Sequence, residues 1–138
     1  MKRRLNLAAA LGTAATISYL SLAPIFSSGP PGTGLGFSLF TLGHFAAYLA
    51  LAFSTGLYLR GRGTRNSTLL AVAAAVAFGA SLEVMQGQLP YRFFGYDDMV
   101  YNLTGASLLL LDRSGRLQDF VLETESRVLE ASTFNVRR

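Results

Sequence analysis

Long uncharged stretches alternate with short charged blocks along this chain of 138 residues. Most of the charges lie in three blocks, at 1–4, 60–65 and 112–138, and the stretches between these blocks are rich in apolar residues. A lipid bilayer requires long runs without charge, whereas a soluble core does not. The pattern therefore predicts an all-α integral membrane protein.

Four segments are candidates for membrane spans, at about 5–26, 37–59, 68–88 and 96–113. The first also has features of a signal peptide, but Pro24 directly follows the possible cleavage site, so we interpret it as an uncleaved helix. The fourth has only thirteen uncharged residues, from Met99 to Leu111. As a helix these reach about 20 Å, against a hydrocarbon core of about 30 Å. To cross the membrane, the fourth segment must bring Asp98 close to membrane depth.

The basic residues predict the orientation, because they collect on the cytoplasmic side of membrane proteins. In a four-span topology, eleven of the twelve Lys and Arg residues fall on one side, and Arg92 alone falls on the other. We therefore expect a four-helix bundle in the inner membrane of a bacterium, with both termini cytoplasmic. The chain divides into a transmembrane domain, 1–111, and a cytoplasmic tail, 112–138. The basic residues mark topology and do not indicate nucleic-acid binding.

Small residues at every fourth position predict where the helices pack, because helices in lipid associate by close backbone approach. The third span carries such a stripe in Ala71, Ala75 and Gly79, and Glu83 continues it, so we expect this carboxylate to face the bundle interior. Gly105 offers a close approach on the fourth span. Two further stripes complete the expected packing surfaces: Ala8, Gly12 and Thr16 on the first span, and Ala73, Ala77 and Ser81 on the third.

Polar side chains from three spans converge on the outer half of the predicted bundle. They are His44, Glu83, Gln86, Arg92, Asp98 and Asn102. Ionisable groups are costly inside a membrane, so their presence needs a reason. One hypothesis is a structural network in which Arg92 pairs with Glu83 or Asp98. The other is a pocket in which Arg92 meets an anionic head group and a carboxylate handles protons. With one His and no Cys, we predict no metal site and no cofactor.

The spacing of these residues resembles the signature of the VanZ-like family of small bacterial membrane proteins. The similarity lies in His44-Phe45-x-x-Tyr48, Glu83-x-x-Gln86 and Arg92-x5-Asp98-x3-Asn102-x-x-Gly105, and it covers about residues 42–111. The family takes its name from a member linked to glycopeptide resistance. The resemblance implies that the polar cluster is a family feature, but it implies no particular activity.

The helical spacing of apolar residues in the tail predicts an amphipathic helix with an apolar stripe, capped by Ser114. Its acidic residues would be repelled by anionic lipid and attracted by Arg60, Arg62 and Arg65 or by a partner, so we favour protein contact over contact with the membrane surface. The residues expected at that contact are Leu117, Phe120, Val121, Glu123 and Val128.

Three functions remain open, and we rank them. The first is a non-catalytic accessory or assembly subunit of a larger membrane complex, for instance a respiratory or photosynthetic one. The second is a stand-alone VanZ-like protein that binds amphiphiles or lipid-linked envelope precursors at the outer leaflet and affects glycopeptide sensitivity. The third is a membrane-embedded hydrolase or transferase that uses Glu83 or Asp98 with His44. It ranks last because no nucleophile motif or nucleotide loop is present. We expect membrane lipids and protein chains as partners.

Overall fold

A computed structural model describes residues 2–24, 39–112 and 114–136 of the chain. These residues form five α-helices and one 3-10 helix, and no strand occurs among them. The helices are α1 (Lys2–Leu22), α2 (Leu39–Gly61), α3 (Ser67–Gln86), α4 (Tyr96–Ser107) and α5 (Arg116–Val136), and the 3-10 helix Leu108–Leu111 directly follows α4. The all-α class predicted from the sequence is confirmed.

Three of the helices are long and apolar enough to cross a membrane. They contain the segments Arg4–Leu22, Thr41–Gly61 and Ser67–Gln86. Large apolar side chains on these helices point away from the molecule, among them Leu11, Leu69 and Val84. Such a surface is costly in water and suits contact with lipid. These features are those of a membrane protein.

The fourth predicted span, 96–113, is not one continuous α-helix. It consists of the 12 residues of α4 and the 4 residues of the 3-10 helix. Together they reach about 26 Å, slightly less than a hydrocarbon core of about 30 Å. The 3-10 helix has a longer rise per residue, so it extends a short segment further than an α-helix would. The predicted loop at 27–36 and the beginning of the second predicted span lie outside the described residues.

Helix α2 lies at the centre of the molecule. It packs against all four other α-helices, and α3 also contacts α1 and α4. The buried apolar side chains come mainly from α2 and α3, with contributions from α1, α4 and the 3-10 helix: Ile17, Tyr48, Leu51, Ala52, Ala71, Val72, Ala75, Leu82, Ala106 and Leu109. The first small-residue stripe of α3 thus lies in the core.

Two glycines of the predicted packing surfaces allow the closest approaches between helices. A Cβ atom on Gly105 would lie 2.6 Å from the backbone oxygen of Phe45, so α4 touches the backbone of α2 here. A Cβ atom on Gly79 would lie 2.7 Å from Cε1 of the Tyr48 ring. A side chain at Gly105 would require one of the two helices to shift, and a side chain at Gly79 would require the Tyr48 ring to move.

Two other small-residue stripes face away from the molecule. Ala8, Gly12 and Thr16 of α1 are exposed, and so are the α3 residues Ala73, Ala77 and Ser81. A Cβ atom on Gly12 would meet nothing within 4 Å. The sequence predicted these stripes as packing surfaces, but within this chain the opposite faces of α1 and α3 make the contacts. Helical spacing gives each helix two small faces, and only the fold selects between them.

The tail helix α5 begins after a tight turn. Gly115 has a φ of 68°, a left-handed conformation that glycine adopts without strain. The carboxylate of Asp112 accepts the N–H of Leu117 at 3.1 Å, so Asp112 performs the capping expected of Ser114. The carbonyl oxygen of Ser114 accepts a hydrogen bond from Arg60 at 3.3 Å. The turn therefore places the first residues of α5 beside the end of α2.

Candidate functional site

The polar residues predicted as one cluster are divided between two sets of contacts. Both sets lie near the end of the molecule where α3 finishes and α4 begins. One set joins α2, α3 and α4 through His44, Glu83, Asp98 and Asn102. The other joins α1 to the α3–α4 connection through Gln86 and Arg92.

His44 of α2 contacts two residues that lie four apart on α4. Its Nδ1 is 2.8 Å from Oδ1 of Asn102, and its Nε2 is 3.8 Å from Oδ1 of Asp98. Residues four apart share one helix face, which explains why one histidine reaches both. When Asn102 Oδ1 accepts, the Nδ1 atom of His44 carries the hydrogen and Nε2 faces the carboxylate. The side chains of His44, Asp98 and Asn102 thus connect α2 to α4.

Asn102 is the buried member of this contact, and only 3% of its surface is exposed. Its Nδ2 atom is buried and has no hydrogen-bond partner within the described part of the chain. By contrast, the side chains of His44 and Asp98 are 26% and 40% exposed. The contact is therefore buried on the side of Asn102, and it is open to the surroundings on the side of His44 and Asp98.

Glu83 is buried, as its position on the small-residue stripe predicts, with 2% of its surface exposed. Its Oε2 atom accepts the backbone N–H of Gly95 at 3.2 Å. Gly95 directly precedes α4, where the backbone N–H groups of the first turn lack partners within the helix. The Glu83 carboxylate therefore connects α3 to the beginning of α4.

The second set of contacts closes the carboxyl end of α1, and we call it the α1 cap. The last carbonyl groups of a helix have no partner within the helix and need donors from elsewhere. Four hydrogen bonds supply them: Gln86 Nε2 to Ser21 O at 2.9 Å, Tyr91 Oη to Leu22 O at 3.1 Å, and Arg92 to Leu20 O at 3.0 Å and Ala23 O at 2.9 Å. A guanidinium with several donors suits this role, because its positive charge also complements the helix dipole.

The guanidinium of Arg92 donates to carbonyl groups of α1, which neither sequence hypothesis named as partners. The sequence could not indicate this partner, since backbone carbonyl groups carry no residue-specific signal. Tyr91 was missed for the same reason, although it stands directly beside Arg92.

Tyr48 was named in the family resemblance but was not placed among the site residues. It lies one helical turn from His44, is buried, and packs its ring against Gly79. The spacing of four from His44 was the available signal. Its position links the His44 contact to the small-residue stripe that carries Glu83.

Among the described residues, no three His, Asp or Glu side chains come together in a way that could hold a metal ion.

The tail residues form a separate region at the opposite end of α2. Leu117, Phe120 and Val128 are exposed, and Val121 is half-buried. Glu123 pairs with Arg127 at 2.7 Å within α5. The Asp119 carboxylate accepts hydrogen bonds from Arg60, one of the arginines expected to attract the acidic residues of the tail. These bonds from the guanidinium lower the pKa of Asp119 below its usual value.

No family model matches the chain, and neither a curated protein nor a solved structure matches it. The resemblance to the VanZ-like family therefore stays a prediction from the spacing of the polar residues.

Proposed function

We propose that this chain is a non-catalytic accessory or assembly subunit of a larger membrane complex, of VanZ-like type. In this proposal α1, α2, α3 and the α4 segment form a four-span bundle in a bacterial inner membrane, and both termini are cytoplasmic. The observation that carries the non-catalytic role is the use of the polar cluster within the chain. Gln86 and Arg92 bind the end of α1, Asn102 binds His44, and Glu83 binds the start of α4.

The outward small-residue faces of α1 and α3 support the role as a subunit. Leu and Phe side chains hold a neighbouring helix at a distance, whereas small residues let its backbone come close. Gly12 has open space around the position of a Cβ atom. These faces suit the transmembrane helices of another chain.

The test is the native mass of the protein after mild extraction from its own membrane. We expect a particle much larger than the 14.8 kDa chain, with stoichiometric partner chains. Gly12→Leu fills the outward face of α1, so it should release the protein from the particle while the fold is kept. Gly43→Leu is the matched control, because a Cβ atom at Gly43 also meets nothing within 4 Å, but on α2.

A small particle without stoichiometric protein would overturn the subunit proposal. If Gly12→Leu and Gly43→Leu had equal effects on the size of the particle, the outward face of α1 would not be the contact with the partner chain.

A second candidate function is favoured by the open side of the His44 contact. His44 and Asp98 present an imidazole and a carboxylate that are 26% and 40% exposed. Such a pair suits the binding of polar head groups of amphiphiles or lipid-linked envelope precursors at the outer leaflet, which would affect glycopeptide sensitivity. This candidate predicts a small particle that retains a bound amphiphile, and the amphiphile should be lost in His44→Ala.

A further inference from the structure

Helix α5 is attached to the rest of the molecule by its first turn. The side chain of Gln118 is fully buried, and its amide lies against Gly56 of α2. Its Nε2 atom is 3.4 Å from Oγ1 of Thr68, near the start of α3. Arg60 holds Asp119 through Nε and a second nitrogen. These contacts fix how α5 is rotated about its own axis.

The fixed rotation separates a buried face of α5 from an exposed apolar face. Each residue of an α-helix advances by about 100°, so Leu117 lies about 100° from the buried Gln118. Leu117, Thr124 and Val128 lie on one line along the helix, and all three are exposed. Phe120 flanks this line and is 67% exposed. We call these four residues the α5 stripe.

The α5 stripe continues an apolar groove on the face of the proposed bundle that would contact lipid. The groove has a volume of about 630 Å³ and runs between α2 and the 3-10 helix. Its lining includes Leu49 and Phe53 of α2, Leu108 and Leu111 of the 3-10 helix, and Leu117. Leu117 belongs both to the groove and to the stripe, so the two apolar surfaces meet at this residue.

The charges of α5 are arranged so that its acidic residues are partly neutralised. From sequence alone, its acids argued against a membrane surface. In the structure, Arg60 pairs with Asp119 and Arg127 pairs with Glu123. Two of the acidic side chains thus carry an arginine partner, which weakens their repulsion from anionic lipid.

We propose that α5 lies on the membrane surface at the arginine-rich end of the molecule, with the α5 stripe inserted among the lipid acyl chains. An interfacial helix requires an apolar face toward lipid and a polar face toward water, and its position follows from the fixed rotation. The proposal uses the membrane-spanning orientation of α1–α3, but it does not depend on the role as a subunit.

The absence of cysteine from the chain permits a direct test with single-cysteine variants. Val128→Cys reports on the stripe, and Glu123→Cys is the matched control on the polar side. Both positions are exposed in the protein itself, with 62% of the Val128 residue and 62% of the Glu123 side chain accessible. Each full-length variant is reconstituted into vesicles of phosphatidylethanolamine and phosphatidylglycerol, and its labelling by a membrane-impermeant maleimide is followed.

We expect Val128→Cys to react at least about tenfold more slowly than Glu123→Cys at every protein-to-lipid ratio. Thr124→Cys, a second stripe position, should behave like Val128→Cys. The extent of labelling of Glu123→Cys also gives the fraction of molecules with the tail outside. Retention of the protein in alkali-washed vesicles is checked first. If the wash removed the protein, the result would contradict the membrane-spanning orientation of α1–α3 and not the placement of α5.

Three results would overturn the proposal. Equal labelling rates would show that the stripe faces water. Protection of Val128→Cys only at high protein-to-lipid ratio would assign the stripe to a second copy of the chain. Protection in native membranes but not in these vesicles would assign it to a protein partner, as the sequence alone had favoured.

Discussion

At the scale of single residues, Gly105 and Gly79 determine how closely α4 and α3 approach α2. The atoms that meet them differ in how easily they can move. Gly105 faces the backbone of Phe45, whereas Gly79 faces the ring of Tyr48. A backbone neighbour can yield only if a helix shifts, so Gly105 is the less tolerant position.

We expect Gly105→Ala to lower the free energy of unfolding by about 1–3 kcal/mol, because the added methyl group forces α4 away from α2. Gly12→Ala is the matched control, since its methyl group enters open space on α1. Unfolding in mixed detergent micelles, followed by circular dichroism, measures both. Equal stability of the two variants would contradict the close approach at Gly105.

At the scale of helices, α1 depends on donors that lie far away in the sequence. Its last turn is capped by side chains from the end of α3 and from the α3–α4 connection. This arrangement couples the first helix to the third and fourth segments. It also gives Arg92 a structural role.

Arg92→Gln should weaken the α1 cap, because one neutral amide replaces a charged donor of two hydrogen bonds. We expect a loss of about 1–3 kcal/mol in the free energy of unfolding. Among the backbone amides, those in the last turn of α1 should lose the most protection from hydrogen exchange. Arg65→Gln, at an exposed arginine of the α2–α3 turn, is the control. Unchanged exchange in the last turn of α1 would refute the capping role.

The attachment of α5 to α2 should depend on pH. Because Arg60 lowers the pKa of Asp119 in the folded protein, this contact stabilises the fold fully above the unfolded value of about 3.9. The stabilisation is lost as the pH falls through the lower, folded pKa.

A spin label at Thr124→Cys should therefore gain mobility below about pH 4, as carboxylates take up protons. In Asp119→Asn the label should be more mobile at neutral pH, and the acid transition should shrink. Glu123→Gln is the control, since its Arg127 partner lies on α5 itself. A label that stays immobile in Asp119→Asn at all pH values would show that the Arg60–Asp119 contact is not needed to hold α5.

At the scale of the whole molecule, the proposed topology depends on the short α4 segment. Its α-helix and 3-10 helix reach about 26 Å, less than the hydrocarbon core of about 30 Å, so no length is left for tilt. The open His44 and Asp98 pair would then lie near the outer surface, and Arg60 would lie near the inner one.

Gln88→Cys, in the connection before α4, should react with an impermeant maleimide in intact cells. Ser126→Cys, in α5, should react only after the cells are opened, because the four-span topology places the tail in the cytoplasm. Labelling of both positions in intact cells would mean that the α4 segment does not cross.

The sequence by itself determined the helical class and the long apolar helices, because the absence of charge over some twenty residues is a local property. It also placed Glu83 in the interior, since the small-residue stripe and helical spacing share one face. These features need no knowledge of distant contacts, and the structure agrees with them.

Only the tertiary structure decided which residues meet. The two small faces of α1 and α3 are equivalent by spacing, and the fold buried one face of each. Arg92 and Tyr91 reach backbone carbonyl groups, which carry no residue-specific signal. The rotation of α5 depends on Gln118 fitting beside Gly56, and this fit requires the packed ends of α2 and α3. The local sequence pattern determines which faces of each helix are small or apolar, whereas packing between distant segments determines which of these faces are buried.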